Sequence, residues 1–342
     1  MTPELQRLTR AVQANCDRSD ARHAQDMSLC NYLLAMREYY RWECGLPLAA
    51  DPDRASVRDW IARREALWQE IAGESLEPLP LADGPADPFA IEAVNARLLP
   101  QGWVYGAAQG PFGKPHFFLG RLARESRRGS VRVIEVGPEV ARDIDAAPAA
   151  LVGSTIVLRG DAFERWLWSS AEAWGQSHEA GAMRAALAAY GYERDRAGAL
   201  ARMASEQRET LLLHELGEHA AGLALGPGWD DYFGGLRDRR REILARAVRD
   251  LLADCLVTLP AIVERRSENA AHFWFATFGG MRKTLFPRLQ TAYLALRDVA
   301  DWSALEVAID AGRAHWKRTA CQLVRDAADG ATAFDPERIA LA

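Results

Sequence analysis

Four side chains able to bind a cation or move a proton fall close together in the segment LLLHELGEHAAGLALG: His214, Glu215, Glu218 and His219. A helix turns about 100° per residue, so positions four apart stack on one face. His214 and Glu218 make one such pair, and Glu215 and His219 make another. With His214 at the origin, Glu218 falls at about 40°, Glu215 at about 100° and His219 at about 140°. One arc therefore carries two imidazoles and two carboxylates, the donor groups that zinc, iron and manganese accept. The flanks are apolar, with Leu211, Leu212 and Leu213 before and Ala220, Ala221, Leu223, Ala224 and Leu225 after. That pattern predicts a mostly buried helix. Buried carboxylates and imidazoles need partners, and a divalent cation satisfies all of them at once. Gly222 lies mid-arc and leaves room for a ligand or a close helix.

The segment resembles the zincin metallohydrolases, whose metal helix carries H-E-x-x-H. The match covers His214 and Glu215; the fifth position is Glu218 instead of a second histidine. The resemblance implies His214 and Glu218 as ligands, Glu215 as the general base on a metal-bound water, and His219 as a further ligand or a supporting group. It implies zinc first, while the extra carboxylate also suits iron or manganese. In one zincin branch the third ligand is an acid on a following helix. Here that position is filled by Asp254, with Asp250 four residues earlier as the alternative. A di-iron or other redox centre is a second reading of the two stacked pairs, although no other helix carries a matching Glu-x-x-His. A third reading is a non-enzymatic helical adaptor whose polar arc is a buried ion-pair network, with Arg208 as one partner.

Other residues carry weaker chemistry. His272 sits among aromatics in Asn269-Ala270-Ala271-His272-Phe273-Trp274-Phe275 and could reach a substrate, though a packed core histidine is the plainer reading. His116 precedes two phenylalanines on a strand and could line a cleft. Arg37, in the aromatic and charged stretch Asn31–Glu43, could hold an anionic substrate; an outer ion-pair face explains it equally simply. His23, His178 and His315 have polar neighbours and read as exposed. Gly279-Gly280-Met281-Arg282-Lys283 lacks P-loop spacing and reads as a helix break.

The positioning elements follow from periodicity. Residues 4–45 read as helical, ended by Gly45 and Pro47. A helix over 56–71 opens with Ser56 as its cap, and the Pro/Gly/Asp-rich stretch 77–88 reads as a loop. A short helix at 88–98 leads into strands at 103–106, 116–120, 131–136 and 154–158, with a hairpin turn at 127–130. Helical segments then run from 161 to about 325. The expectation is an α+β protein, predominantly helical, with a small and mostly antiparallel sheet. Its regions are 1–76, helical; 89–160, the sheet; and 161–342, the main helical part with the metal site.

The 342 residues are 49% hydrophobic and 26% charged, which is ordinary globular composition. A net charge of −5 gives no positive field to attract nucleic acid or an anionic membrane. The five cysteines are scattered without a CxxC pair, as expected in a reducing cytoplasm. The stretch MTPELQRLTRAVQANCDRSD lacks the apolar core of a secretory signal, and no apolar run suits a membrane span. The wording SLCNYLLAMREYYRWE, HELGEH and TLPAIVE followed by FGGMRKTLFP resembles a family of uncharacterised bacterial cytoplasmic proteins, which implies no particular chemistry. The expected function is a cytoplasmic metal-dependent hydrolase acting on a small molecule or a peptide, with no nucleic-acid or membrane partner.

Overall fold

The computed structural model describes residues 2–177, 181–329 and 335–342, so His178 lies outside the described residues. The chain divides into two compact units, Met1–Ser177 and His178–Ala342.

The first unit opens with α1 (Pro3–His23), capped by the Thr2 hydroxyl, which accepts from the Leu5 amide. Helices α2 (Leu29–Glu43) and α3 (Arg54–Ile71) follow. The α3 cap is Asp53 instead of the expected Ser56. Its carboxylate accepts both the Ser56 amide and the Ser56 hydroxyl at 2.9 Å, which satisfies an orphan helix donor one turn earlier. The stretch expected to be a loop folds as a small hairpin, β1 (Leu79–Leu81) with β2 (Gly84–Ala86). Gly84 turns it with a φ of 121°, a backbone state open to glycine.

After α4 (Ile91–Leu98) come β3 (Trp103–Gln109), β4 (Pro115–Arg128), β5 (Val131–Arg142), β6 (Ala149–Val152) and β7 (Thr155–Arg159). Their order is β3-β4-β5-β7-β6, antiparallel except for the parallel β5–β7 pair. The β4–β5 hairpin turns at the expected place, with Gly129 at φ 59°. Helix α5 (Gly160–Ser177) ends the unit. Leu5, Leu8, Val12 and Cys16 of α1 share one core with Trp103, Tyr105, Phe117 and Leu119 of the sheet. The N-terminal helix and the strands are therefore one packing unit.

The second unit is helical: α6 (Ala182–Ala189), α7 (Arg196–Leu225), α8 (Pro227–Gly235), α9 (Arg239–Ala253), α10 (Leu259–Glu264), α11 (Glu268–Thr277), α12 (Gly280–Leu285), α13 (Pro287–Val299), α14 (Trp302–Ala328) and α15 (Pro336–Ile339). The protein is thus α+β and predominantly helical, as its sequence predicts. The core of this unit gathers Leu244, Val248, Leu251 and Leu252 of α9 with Phe286, Tyr293, Ile309 and Trp316.

Two local features place α7 against α9. Between α9 and α10 the helix widens into a π turn, Asp254–Thr258, in which the Leu259 amide bonds the Asp254 carbonyl five residues back. Pro260 follows directly; it has no N–H to donate, and its ring crowds the preceding turn, so the wider turn relieves the clash. On α7, Gly217 lies against this junction. A Cβ there would come within 2.5 Å of the Ala253 carbonyl oxygen, so only glycine permits the approach. Among the described residues no helix is long and apolar enough to cross a membrane.

Candidate metal centre

The polar arc of α7 meets α9 and the π turn. Nδ1 of His214 lies 2.9 Å from Oδ1 of Asp254, which is fully buried. The same carboxylate accepts from Trp274 Nε1 at 3.1 Å and from Arg282 Nη1 at 3.2 Å. Arg282 is held in turn by the Thr277 carbonyl, 2.7 Å from its Nη2. Asp254 therefore sits behind the imidazole and fixes its orientation. The other ring nitrogen, Nε2, faces Oε1 of Glu218 at 3.7 Å, beyond hydrogen-bond length.

Glu218 Oε1 accepts from Arg249 Nη2 at 2.6 Å, and Arg249 Nη2 also lies 3.1 Å from Asp250 Oδ1. His214, Glu218 and Asp250 each offer one ligand atom, and these atoms all lie within 4.8 Å of one another. One imidazole and two carboxylates at this spacing could hold a metal ion. Asp254 stands outside this trio and holds His214 from its Nδ1 side. Asp250, on the solvent side of the same helix stretch, joins the trio. Glu215 is 7% exposed and next to the trio, while His219 is half-buried and outside it.

The electrostatics couple His214 to three neighbouring carboxylates. Burial disfavours a charged His214, but Asp254, then Glu218 and Glu215, outweigh it and lift the imidazole to about 10. Burial, reinforced by Glu218, pushes Glu215 up to about 7 against the pull of His214 and Arg249. Glu218 is also raised, by burial before any charge, with Arg249 opposing. Asp254 goes the other way: burial pushes it up, yet His214 and Arg282 hold it below the usual carboxylate range. Of the guanidiniums, Arg249 pairs with Glu218 and Asp250, and Arg282 pairs with Asp254. The raised Glu215 and Glu218 carboxyls are the ones that give up part of their charge in this crowded setting.

The remaining candidates lie elsewhere. His272 on α11 places Nδ1 3.0 Å from the Tyr293 hydroxyl, and burial lowers its pKa, as for a packed core histidine. Arg37, in the first unit, pairs with Asp51 at 2.6 Å and Glu172 at 3.3 Å. His116 lies on β4, an interior strand, with Nδ1 3.2 Å from the buried Asp143. His23 and His315 are half-buried instead of exposed; Nε2 of His315 meets the Ile339 carbonyl at 2.7 Å. The sequence offers Arg249 as a salt-bridge partner for Asp254, whereas it pairs with Glu218 and Asp250; Arg282 and Trp274, which do bind Asp254, were missed. Arg282 had a signal, since a lone arginine just after the Gly279-Gly280 break is free to turn back on a neighbouring helix.

No curated protein and no solved structure matches the chain. Residues 7–159 match the N-terminal domain, and residues 164–340 the C-terminal domain, of a family of unknown function, DUF6866, and the chain belongs to that family.

Proposed function

We propose that the second unit is a metal-dependent hydrolase centre, with a divalent cation held by His214, Glu218 and Asp250. The observation that carries this reading is the aim of His214: Asp254 takes one ring nitrogen, the other faces Glu218 at 3.7 Å, and Asp250 offers a third ligand atom within 4.8 Å. A cation held by these residues would supply Lewis-acid polarisation of a substrate oxygen and acidify water. Glu215, one residue from His214 and shielded from solvent, would serve as the general base. The donor set of one imidazole and two carboxylates suits zinc, with iron or manganese as alternatives. The five free cysteines support a reducing, cytoplasmic setting. The substrate is a small molecule or a peptide.

Elemental analysis of protein purified without added metal tests the reading, with about one equivalent of zinc, iron or manganese expected. Less than about a tenth of an equivalent, with no rebinding, overturns it. Glu215→Gln should abolish hydrolysis and keep the metal; loss of metal would make Glu215 a ligand. Two equivalents of iron with a visible spectrum would instead favour the redox alternative. One observation favours a non-catalytic polar network: Arg249 already bridges Glu218 and Asp250. On that reading a His214→Leu, Glu218→Leu double variant folds normally and no metal is found.

A further inference from the structure

Arg249 occupies the ground that a metal needs. Its Nη2 lies 2.6 Å from Glu218 Oε1 and 3.1 Å from Asp250 Oδ1, so one guanidinium nitrogen engages two of the three candidate ligands. A divalent cation would compete for the same oxygens, because lone pairs given to an N–H at these lengths are withdrawn from a metal. Arg249 is only 22% exposed, so a guanidinium displaced from its carboxylates would be a poorly hydrated cation beside another cation. The Phe233 ring, with its centroid 5.9 Å from the guanidinium carbon, offers a surface but no acceptor, and Arg246 already lies 5.0 Å from the same centroid.

We propose that Arg249 is an exchangeable internal cation, and that the substrates of this centre carry an oxyanion group which binds the metal and the displaced guanidinium together. The proposal rests on the metal reading above and names its substrate class. A phosphoryl or carboxylate oxyanion supplies the acceptors that Arg249 loses, in the planar two-pronged geometry a guanidinium favours. A neutral substrate supplies no such acceptors. Cation and oxyanion therefore strengthen each other's binding, and the coupling is reciprocal. With both absent, Arg249 neutralises the carboxylates and keeps the cluster folded.

The test is titration of Mn2+ into the full-length wild type and its Arg249→Gln and Arg249→Lys variants, followed by the electron paramagnetic resonance of free Mn2+. Each is titrated in chloride, then in phosphate or acetate at matched ionic strength. Without oxyanion, Arg249→Gln should bind Mn2+ about tenfold more tightly than wild type, because a competing charge a few ångströms away has gone. Phosphate or acetate should tighten Mn2+ binding to wild type by about fivefold or more, and this gain should vanish in Arg249→Gln. Which anion works distinguishes a phosphoryl from a carboxylate substrate. Arg249→Lys, which keeps the charge and protects against misfolding of the neutral variant, should fall between the two. Equal or weaker Mn2+ binding by Arg249→Gln, or an oxyanion effect undiminished in it, overturns the proposal. Absence of Mn2+, zinc and iron binding in the wild type as well would overturn the metal reading itself, which is a distinguishable result.

Discussion

His214 and Asp254 are 40 residues apart in sequence, yet Nδ1 of one lies 2.9 Å from Oδ1 of the other. The contact is insulated, since Asp254 has no exposed surface and two further donors. Asp254→Asn keeps the shape but puts an amide N–H where one of three donors now finds an acceptor. Removal of such an orienting carboxylate weakens metal binding by about 10- to 100-fold. Asp254→Ala leaves Arg282 and His214 without their buried partner and should cost about 3–5 kcal/mol of stability. Metal titration and urea denaturation check the pair; wild-type metal affinity in Asp254→Asn would remove Asp254 from the site.

Gly217 and Gly222 of α7 should respond in opposite directions. At Gly217 an added Cβ lies 2.5 Å from the Ala253 carbonyl oxygen, and that backbone cannot yield without moving Asp254. Gly217→Ala should destabilise by about 1–3 kcal/mol from overpacking, offset by no more than about 1 kcal/mol of better helix propensity. At Gly222 nothing lies within 4 Å of an added Cβ, so Gly222→Ala should gain up to about 1 kcal/mol. Denaturant midpoints of the two variants against wild type give the answer.

In the first unit, stability should fall as pH rises through neutrality. Asp20 is fully buried, with Lys114 Nζ 3.0 Å from one oxygen and the Ile144 amide 2.8 Å from the other. Burial pushes its pKa up to about 7, Asp143 adding to the rise and Lys114 opposing it. The folded chain thus keeps a proton that the unfolded chain releases near pH 4, and that advantage is lost as pH climbs toward 7. His116 acts in the same sense: burial lowers it, but Asp143 outweighs burial and raises it, so its stabilising proton is also lost on the alkaline side. A loss on the order of 2 kcal/mol between about pH 5 and about pH 8 is expected, and Asp20→Asn should flatten most of it. Hydrogen exchange of β4 amides across that range is the measurement; unchanged protection would contradict it.

Arg37 and Arg41 both reach Glu172 but should differ sharply in effect. Arg41 is 1% exposed and grips both Glu172 oxygens, at 2.9 and 2.6 Å. Arg37 pairs mainly with Asp51, whose side chain is 90% exposed. Arg41→Ala should cost about 3–5 kcal/mol, and Arg37→Ala no more than about 1 kcal/mol. Thermal melts of the two variants decide this, and near-equal losses would show that Arg37 has a further role.

The α7 segment was legible because its information is local: spacing fixes helical phase, and apolar flanks fix burial. The hairpin at Arg128–Val131 was legible for the same reason, through glycine and strand alternation. The partners of Arg249 and the role of Arg282 were not, because they depend on which helices become neighbours. The ranking of Asp254 over Asp250 as a ligand followed from its apolar surroundings. That burial is real, but it puts Asp254 behind His214 and leaves the more accessible Asp250 beside Glu218. At Asp53 and Ser56, three residues apart and both good caps, local propensity alone does not choose, and the carboxylate that bonds both amide and hydroxyl prevails.

The π turn at Asp254–Thr258 has one further consequence. A regular helix would lock the rotation of every residue before it to every residue after it, at about 100° a step. Slipping one extra residue into a turn breaks that lock. Arg249, Asp250 and Asp254 can then point at α7 while Leu259, Ile262 and Val263 still reach the core. The unit can thus alter its polar face by substitution without re-registering its packing, much as a joint lets one end of a shaft be set independently of the other.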